Sequence, residues 1–512
     1  MLRDRAGRET RLTYDSLRQL VAVQDPLGQV TRFDWCGCGG LDAVIDPMGR
    51  MTRWIRDLQG RVSAKLYADG SQIQYRYDTA TGWLKSIRDE QNQITQFDCN
   101  LDGTLREKNF LNALVPTPAV RLTYDPNYRR LLTIIQDETN LTSYSYQPIT
   151  GNALPGAGQL ASVDGPLPND TITFAYDELG RVVSRGINGV GSRWSWDPAG
   201  RLTQLTNSLG TFGFTYDGAS LRLATMNFPN GQHSVFSYFP NQKDQLLQQI
   251  THFKPDSTLL SRYTYDYNPL RQVTQSTQEL PGTSALQWAF GYDGADRLTN
   301  AVATQSGATA ESHAWRFDAL GNRTDETDLT AGNKTLYNAL NQVVATTNAP
   351  SPPRSYEWDA EGRMVAFTQA THRTEFSYDG YGRRTRIVEK ENGSVVSQHR
   401  YVWIAYDLCE ERDASGALVL KRFSTHGVRA ENGAEIPAGA YFVTRTGSNR
   451  SASLPTPAAQ FARLTPTRPT AGAPESWAIS TRIWGSPASF NTVPAGWAWR
   501  STALTTRRWG AG

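Results

Sequence analysis

A chain of 512 residues is long enough for several domains or for one extended repeat array. Its formal charge of +3, from 52 Lys and Arg against 49 Asp and Glu, is too small to argue for nucleic acid or an anionic membrane as a partner. With 43 Gly, 26 Pro, 11% aromatic and 39% hydrophobic residues, the composition suits many short strands joined by turns; four cysteines (Cys36, Cys38, Cys99 and Cys409) in such a length argue against a disulfide scaffold.

The opening stretch, MLRDRAGRETRLTYD, lacks the apolar run of a secretory signal and already reads as the middle of a repeat, so the parent's N-terminus is expected upstream. No segment approaches the apolar length of a membrane span. An aromatic residue followed by Asp then recurs along the chain. The pair occurs as Tyr14-Asp15, Phe33-Asp34, Tyr77-Asp78, Phe97-Asp98, Tyr124-Asp125, Tyr176-Asp177, Trp196-Asp197 and Tyr216-Asp217. It continues as Tyr265-Asp266, Tyr292-Asp293, Phe317-Asp318, Trp358-Asp359 and Tyr378-Asp379, with Tyr337-Asn338 a softened copy. Several copies lie twenty residues apart (176, 196 and 216; 358 and 378), while longer intervals imply insertions or decayed copies.

The clearest copy spans residues 171–185, TITFAYDELGRVVSR. Ile172, Phe174 and Tyr176 alternate, which places them on one face of a strand. Asp177 can accept backbone hydrogen bonds at the start of a turn, and Gly180 tolerates the positive φ that a type I turn with a bulge needs at its end. Arg181, Val182 and Val183 begin the return strand. Trp196, Asp197, Pro198, Gly200 and Arg201 repeat the logic, as do Trp358, Asp359, Gly362 and Arg363, and Tyr378, Asp379, Gly382 and Arg383. Between copies, Asp25-Pro26-Leu27-Gly28 and Asp46-Pro47-Met48-Gly49 read as a second set of tight turns. Each unit is therefore expected to be a hairpin, joined to the next by another turn. A lone hairpin is marginal in water, so the units must bury their aromatic faces jointly. An ordinary β-sandwich would not carry one signature at a fixed period.

Candidate chemistry is sparse. Cys36-Gly37-Cys38 lacks the second ligand pair of a zinc site and reads as a glycine-rich loop between repeats. The six histidines are dispersed and form no metal or catalytic motif. Asp98 to Gly103 hints at a calcium loop but lacks the later acidic ligand, and reads as a turn. The many aspartates sit at turn positions, which explains them without glycoside chemistry. No catalytic, cofactor-binding or metal-binding residue is assigned, and no cofactor is expected.

The pattern quoted as YDELGRVV, WDPAGRLT, YDGADRLT, WDAEGRMV and YDGYGRRT resembles the YD or RHS repeat, over about residues 10 to 445. That family includes bacterial RHS toxins, insecticidal toxin-complex subunits and animal teneurins. The resemblance implies an all-β chain in which antiparallel hairpins form a spiralling sheet, part of a hollow shell. In bacterial members such a shell encloses a C-terminal toxic domain; in teneurins it supports cell-surface adhesion. The stretch from Arg400 to Gly427 looks like the approach to the RHS core that plugs the shell.

After about Arg445 the pattern stops. Residues 446–512 hold arginine but no lysine, Glu475 as their single acid, and tryptophans with no strand or helix period. In the alternate reading frame Trp497-Ala498 and Trp509-Gly510 each force glycine, and Pro494 to Gly512 can read SGLGLALYRAYDPP(V/L)GRW. That string resembles the RHS core signature. The tail is thus expected to be out of frame and mostly without order.

The expected organisation is a repeat array over 1–376, the last repeats and the start of a core-like region over 377–445, and the out-of-frame tail over 446–512. The expected function is a structural shell fragment, truncated and frameshifted, and not an enzyme. The alternatives are an adhesin module that binds carbohydrate or a cell surface, and an RHS protein whose variable toxin is residues 446–512. Expected partners in the complete parent are an encapsulated C-terminal toxin domain or a cell-surface glycan, with no nucleic acid and no membrane span. The family implies a secreted or cell-surface parent; without a signal segment, the chain expressed alone is expected in the cytoplasm.

Overall fold

A computed structural model describes residues 1–137, 140–150, 154–328, 332–347 and 354–444, and the backbone of 462–466. Apart from one short 3-10 turn at Asn241–Lys243, the regular elements of the described residues are strands. A 31-stranded sheet runs from Leu2–Arg3 to Val343–Thr346, and a 10-stranded sheet from Arg354–Trp358 to Ala462–Pro466. Within each sheet every strand pairs antiparallel with its neighbours in sequence, so the chain is a continuous meander. Neither sheet closes into a barrel.

The hairpins form as the residue pattern requires. Ile172–Tyr176 pairs with Val182–Ile187, and the register shifts between Ala175 and Tyr176 so that Tyr176 faces Val182. Asp177 N donates to Arg181 O at 2.9 Å and Gly180 N donates to Asp177 O at 3.0 Å, which closes a type I turn with a bulge. Gly180 has φ +74, and Gly200, Gly362 and Gly382 are likewise positive. Where glycine is absent the turn imposes the same conformation on Asp296, Asn341 and even Arg18.

Turns alternate between two rims of the meander. One rim carries the turns that follow the aromatic residues, here termed the YD rim. The far rim carries the others, such as Asp4–Arg8 and Asp46–Arg50. The far rim of the first part of the chain lies on the YD rim of the later part. Arg8 donates to Asp293 O at 3.1 Å and pairs with Asp296 at 2.7 Å. Arg50 donates to Asn338 O at 3.0 Å and to Asn341 Oδ1 at 2.8 Å, across 291 residues. Ala360 N donates to Thr117 Oγ1 at 3.0 Å, with Lys108 paired to Glu361 beside it. Further on, Arg429 donates to Ser208 O at 3.2 Å across only 221 residues. The meander is therefore a spiral stacked upon itself.

The spiral tapers. Among the described strands, the turn after the first lies on the turn after the twenty-sixth, whereas the turn after the nineteenth lies on the turn after the thirty-eighth. With neighbouring strands about 4.8 Å apart, the later winding is roughly 30 Å shorter in contour.

Among the described residues, two of the four buried apolar clusters lie where windings meet. Phe212 is fully buried among Leu205, Leu209, Met226 and Phe228 of the first winding and Phe442 of the second. Its ring meets Phe228 and Phe442 edge-on at 5.6 and 6.0 Å. A second cluster joins Ile172 and Ile187 to Val402, Ile404 and Cys409.

Three aromatic-Asp pairs of the sequence are not the working ones. At Phe33-Asp34, Phe97-Asp98 and Tyr265-Asp266 the strand continues through the Asp, and the turn begins two residues later, at Cys36, Asn100 and Asn268. Trp35, Cys99 and Tyr267 hold the last strand position instead. Alternation explains the slip, since residues two apart share a face and either can look like the end of a strand. The aperiodic tail, expected to lack order, falls outside the described residues except at Ala462–Pro466. There the backbone pairs with Gly439–Thr444, with Phe442 opposite Thr465.

Phe212→Ala opens a cavity at the join between windings. It is expected to lower stability by about 3–5 kcal/mol, measured by urea denaturation followed by intrinsic fluorescence.

Candidate functional site: interlocked turns and the seam

The signature residues meet in one recurring arrangement that ties each hairpin to its neighbours. The carboxylate of Asp177 accepts from Leu179 N at 3.0 Å and Arg181 N at 2.8 Å through one oxygen, and from Arg181 Nε at 2.6 Å through the other. Asp197 holds Arg201, Asp359 holds Arg363 and Asp379 holds Arg383 in the same way, each Nε contact being 2.7 Å. The Asp thus fixes both the turn and the pose of the Arg.

The posed guanidinium then reaches forward. It lies over the aromatic ring of the next unit, Arg181 over Trp196 at 5.6 Å, Arg201 over Tyr216 at 4.8 Å and Arg363 over Tyr378 at 5.0 Å. Arg201 also donates to Gly218 O and Ser220 O in the following turn, and Arg383 donates to Ala405 O at 3.1 Å. The aromatic reaches backward. Tyr176 Oη donates to Leu160 O, Tyr216 Oη to Leu202 O, both at 2.8 Å, and Tyr378 Oη to Met364 O at 2.6 Å. Trp196 Nε1 makes the equivalent bond to Val182 O at 3.4 Å. Trp358 opens the second sheet and is exposed, although Asp359 after it is buried.

Sequence reasoning missed units that use other residues at these positions. Tyr238 donates to Leu223 O although Phe239 follows it, and Tyr146 donates to Leu131 O although Gln147 follows. Trp403 donates to Arg384 O at 2.6 Å. Tyr267 donates to Leu247 O, with Asn268 after it. The signal that could have found them is a Tyr or Trp at the end of a strand fourteen to twenty residues after the carbonyl it meets, with no demand for Asp.

With this geometry in hand, a family model described as RHS Repeat matches residues 176–211, the stretch that contains the Tyr176, Trp196 and first Tyr216-directed latches. Residues 176–211 thus match the RHS Repeat model, and the same latch geometry recurs at the other turns described above. No curated protein matches it. Among solved structures, the Tc holotoxin pore of Photorhabdus luminescens is similar at 16% identity and a TM-score of 0.67, over 85% of this chain and 26% of that one. The TcdB2-TccC3-Cdc42 structure is similar at 14% identity and 0.60, over 86% and 29%; TcdB2-TccC3 without its hypervariable C-terminal region gives 14% and 0.59, over the same shares. At these identities the likeness is one of fold. This chain spans between a quarter and a third of the length of these three.

The seam adds a second arrangement, absent from the repeat signature. Glu410, Glu411, Arg412 and Lys421 are buried on the strands Asp407–Arg412 and Val419–Ser424. Arg412 pairs with Glu410 at 2.6 Å and donates to Pro168 O at 2.6 Å and Asn169 O at 3.0 Å, across 243–244 residues. Lys421 pairs with Glu411 at 2.8 Å, and Arg422 pairs with Glu410. A buried charge needs partners, and here the partners include backbone carbonyls of the other winding. Nothing in this constellation places a nucleophile beside a base. Among the described residues no group of three His, Cys, Asp or Glu is set to hold a metal ion, and no helix is long and apolar enough to cross a membrane.

Two outcomes are expected from these contacts. Arg412→Ala leaves the buried Glu410 with Arg422 as its remaining cationic partner and is expected to cost about 3–5 kcal/mol in urea denaturation, while Arg412→Met with Glu410→Leu costs less. Acid should loosen the latches. The Arg201 backbone N–H, and then its guanidinium, hold the Asp197 carboxyl below its ordinary value. A carboxyl depressed in the folded state contributes stability above its unfolded pKa and loses it as pH falls through the folded one. Amide exchange at residues 197–201 is therefore expected to quicken as pH falls below about 4, after correction for intrinsic rates, and to stay level between 5 and 7.

Proposed function

We propose that this chain is wall material of an RHS-type shell whose complete form encloses a C-terminal toxin domain. The observation that supports this best is the tapering spiral. A ribbon whose windings stack rim upon rim and shorten along the chain surrounds a space and narrows toward one end. The likeness in fold to structures titled Tc holotoxin pore and TcdB2-TccC3 accords with it. The RHS-repeat wall itself is structural: its recurring polar groups are saturated by one another rather than turned to a substrate.

Within this reading, residues 1–376 are the repeat array with the signature latches as its fasteners, and residues 377–445 are the last repeats and the start of the plug, distinguished by the buried ions of 407–422. Residues 446–512 are out of frame. Sequencing the gene across codons 440–460 and onward tests that assignment. An uninterrupted RHS core in the alternate frame supports it; a single open frame with no such core overturns it and favours a variable toxin tail.

For the shell itself, limited proteolysis of the complete parent protein is the test. The C-terminal domain is expected to stay intact until urea opens the spiral. Cleavage of that domain at native rates, with the wall still folded, would overturn enclosure. The second reading, an adhesin, rests on the broad exposed sheet faces; saturable binding to a glycan array by the folded chain would favour it. Alone, the chain leaves rims and apolar side chains such as Leu58, Leu101 and Leu179 exposed, so poor solubility is expected.

A further inference from the structure

One turn of the YD rim departs from all the others in its chemistry. Cys36 stands where the Asp of the signature stands: its N donates to Gly40 O and its O accepts from Gly39 N, both at 2.9 Å, as Asp57 does with Arg61 and Gly60. In the Asp turns, the carboxylate reaches the N–H two residues on, as in Asp57 to Gln59 at 3.0 Å and Asp177 to Leu179 at 3.0 Å. Cys36 has no such acceptor, but it is disulfide-bonded to Cys38, two residues on. The bond joins the same two positions covalently.

The rest of the unit is altered to match. Gly40 replaces the signature Arg, and Arg56 takes the aromatic position of the next unit. Arg56 lies so close to Gly40 that a Cβ there would sit 2.8 Å from its Nε, and it donates to Leu41 O at 3.1 Å, the backward reach that Tyr makes elsewhere. Cys38 is exposed at the tip of the turn, flanked by Gly37 and Gly39. A loop of three residues constrains the unfolded chain little, so this disulfide acts on its own turn and not on the whole fold. Exposed disulfides are the ones that exchange.

We propose that Cys36–Cys38 is a thiol-reactive site that opens and closes this turn, with low-molecular-weight thiols of the glutathione class as its co-substrate. A thiolate attacks the exposed Cys38 sulfur; the S–S bond breaks and Cys36 leaves as thiolate and takes up a proton. A second small thiol displaces Cys38 from the mixed disulfide. The protein gains two thiols and the two small thiols become one disulfide. Once reduced, the turn has no side-chain acceptor, contains three glycines, and is the loosest on its rim.

The test uses the full chain equilibrated in glutathione buffers of graded redox ratio, with alkylation and peptide mass spectrometry. Peptides holding Cys36 and Cys38 are expected to lose two hydrogens and escape alkylation in oxidising buffer, then to take up two alkyl groups in reducing buffer. Amide exchange across 36–41 should rise about tenfold on reduction while the Asp57–Gly60 turn stays unchanged. Two free thiols throughout, or equal exchange in both states, would overturn the proposal. The variant Cys36→Asp with Cys38→Ser restores the carboxylate acceptor. It should show slow exchange that no longer responds to glutathione; a response that persists would place the effect elsewhere and sink the idea.

Discussion

A single-layered ribbon has no opposite sheet to bury its faces against, so its hairpins must hold one another sideways. The guanidinium that lies over the next ring, and the ring hydroxyl that returns to the preceding strand, supply that hold. The guanidinium can reach forward because the Asp has already fixed the Arg at Nε and leaves the rest of the group free. Remove the pose and a long flexible side chain would have to be ordered at each join. The repeat is thus a chain of nearest-neighbour couplings, the energetic form expected of solenoids.

Lateral coupling alone would give an open ribbon. The spiral exists because the two rims are complementary. A far-rim Arg such as Arg50 finds on the YD rim a carbonyl and a side-chain oxygen at the start and end of one turn. That match joins unlike rims, so windings stack in one sense and the structure continues instead of closing on itself as a two-fold pair would. The seam then becomes one place for apolar burial and for buried ions, and Phe212 and Arg412 lie there. The buried ions ask for partners that only correct winding register supplies, namely Pro168 O and Asn169 O.

Much of this was legible in the sequence at the level of one hairpin. Alternation, the turn Asp and the positive-φ glycine are local, and they gave the strand Ile172–Tyr176, its turn and its return correctly. What exceeded one hairpin was not legible. Nothing in the string YDELGRVV says that Arg181 lies over Trp196, or that Tyr176 reaches Leu160. The three displaced pairs, such as Phe33-Asp34, show the limit of a two-residue signature: the face is right while the strand end is wrong. The winding was least legible, because Arg8 and Asp296 are joined by the accumulated twist of every hairpin between them.

Several departures from the signature keep its pairing, and this argues that the pairing, not either residue singly, is what the join requires. Where Asn replaces Asp at 338 and 268, Gln replaces Arg at 342 and 272, and the amides pair at 2.8 and 2.7 Å, keeping donor and acceptor while removing both charges. Where Asn322 replaces Arg after Asp318, its amide still reaches the carboxylate at 2.8 Å. At Cys36 the change runs through three positions, with a covalent bond for the Asx contact, glycine for the Arg, and Arg56 for the ring. A replacement unable to pair would leave a part-buried donor or acceptor without a partner, a loss comparable to the contribution of a whole hydrogen bond. The period therefore decays in the sequence while the geometry of each join persists.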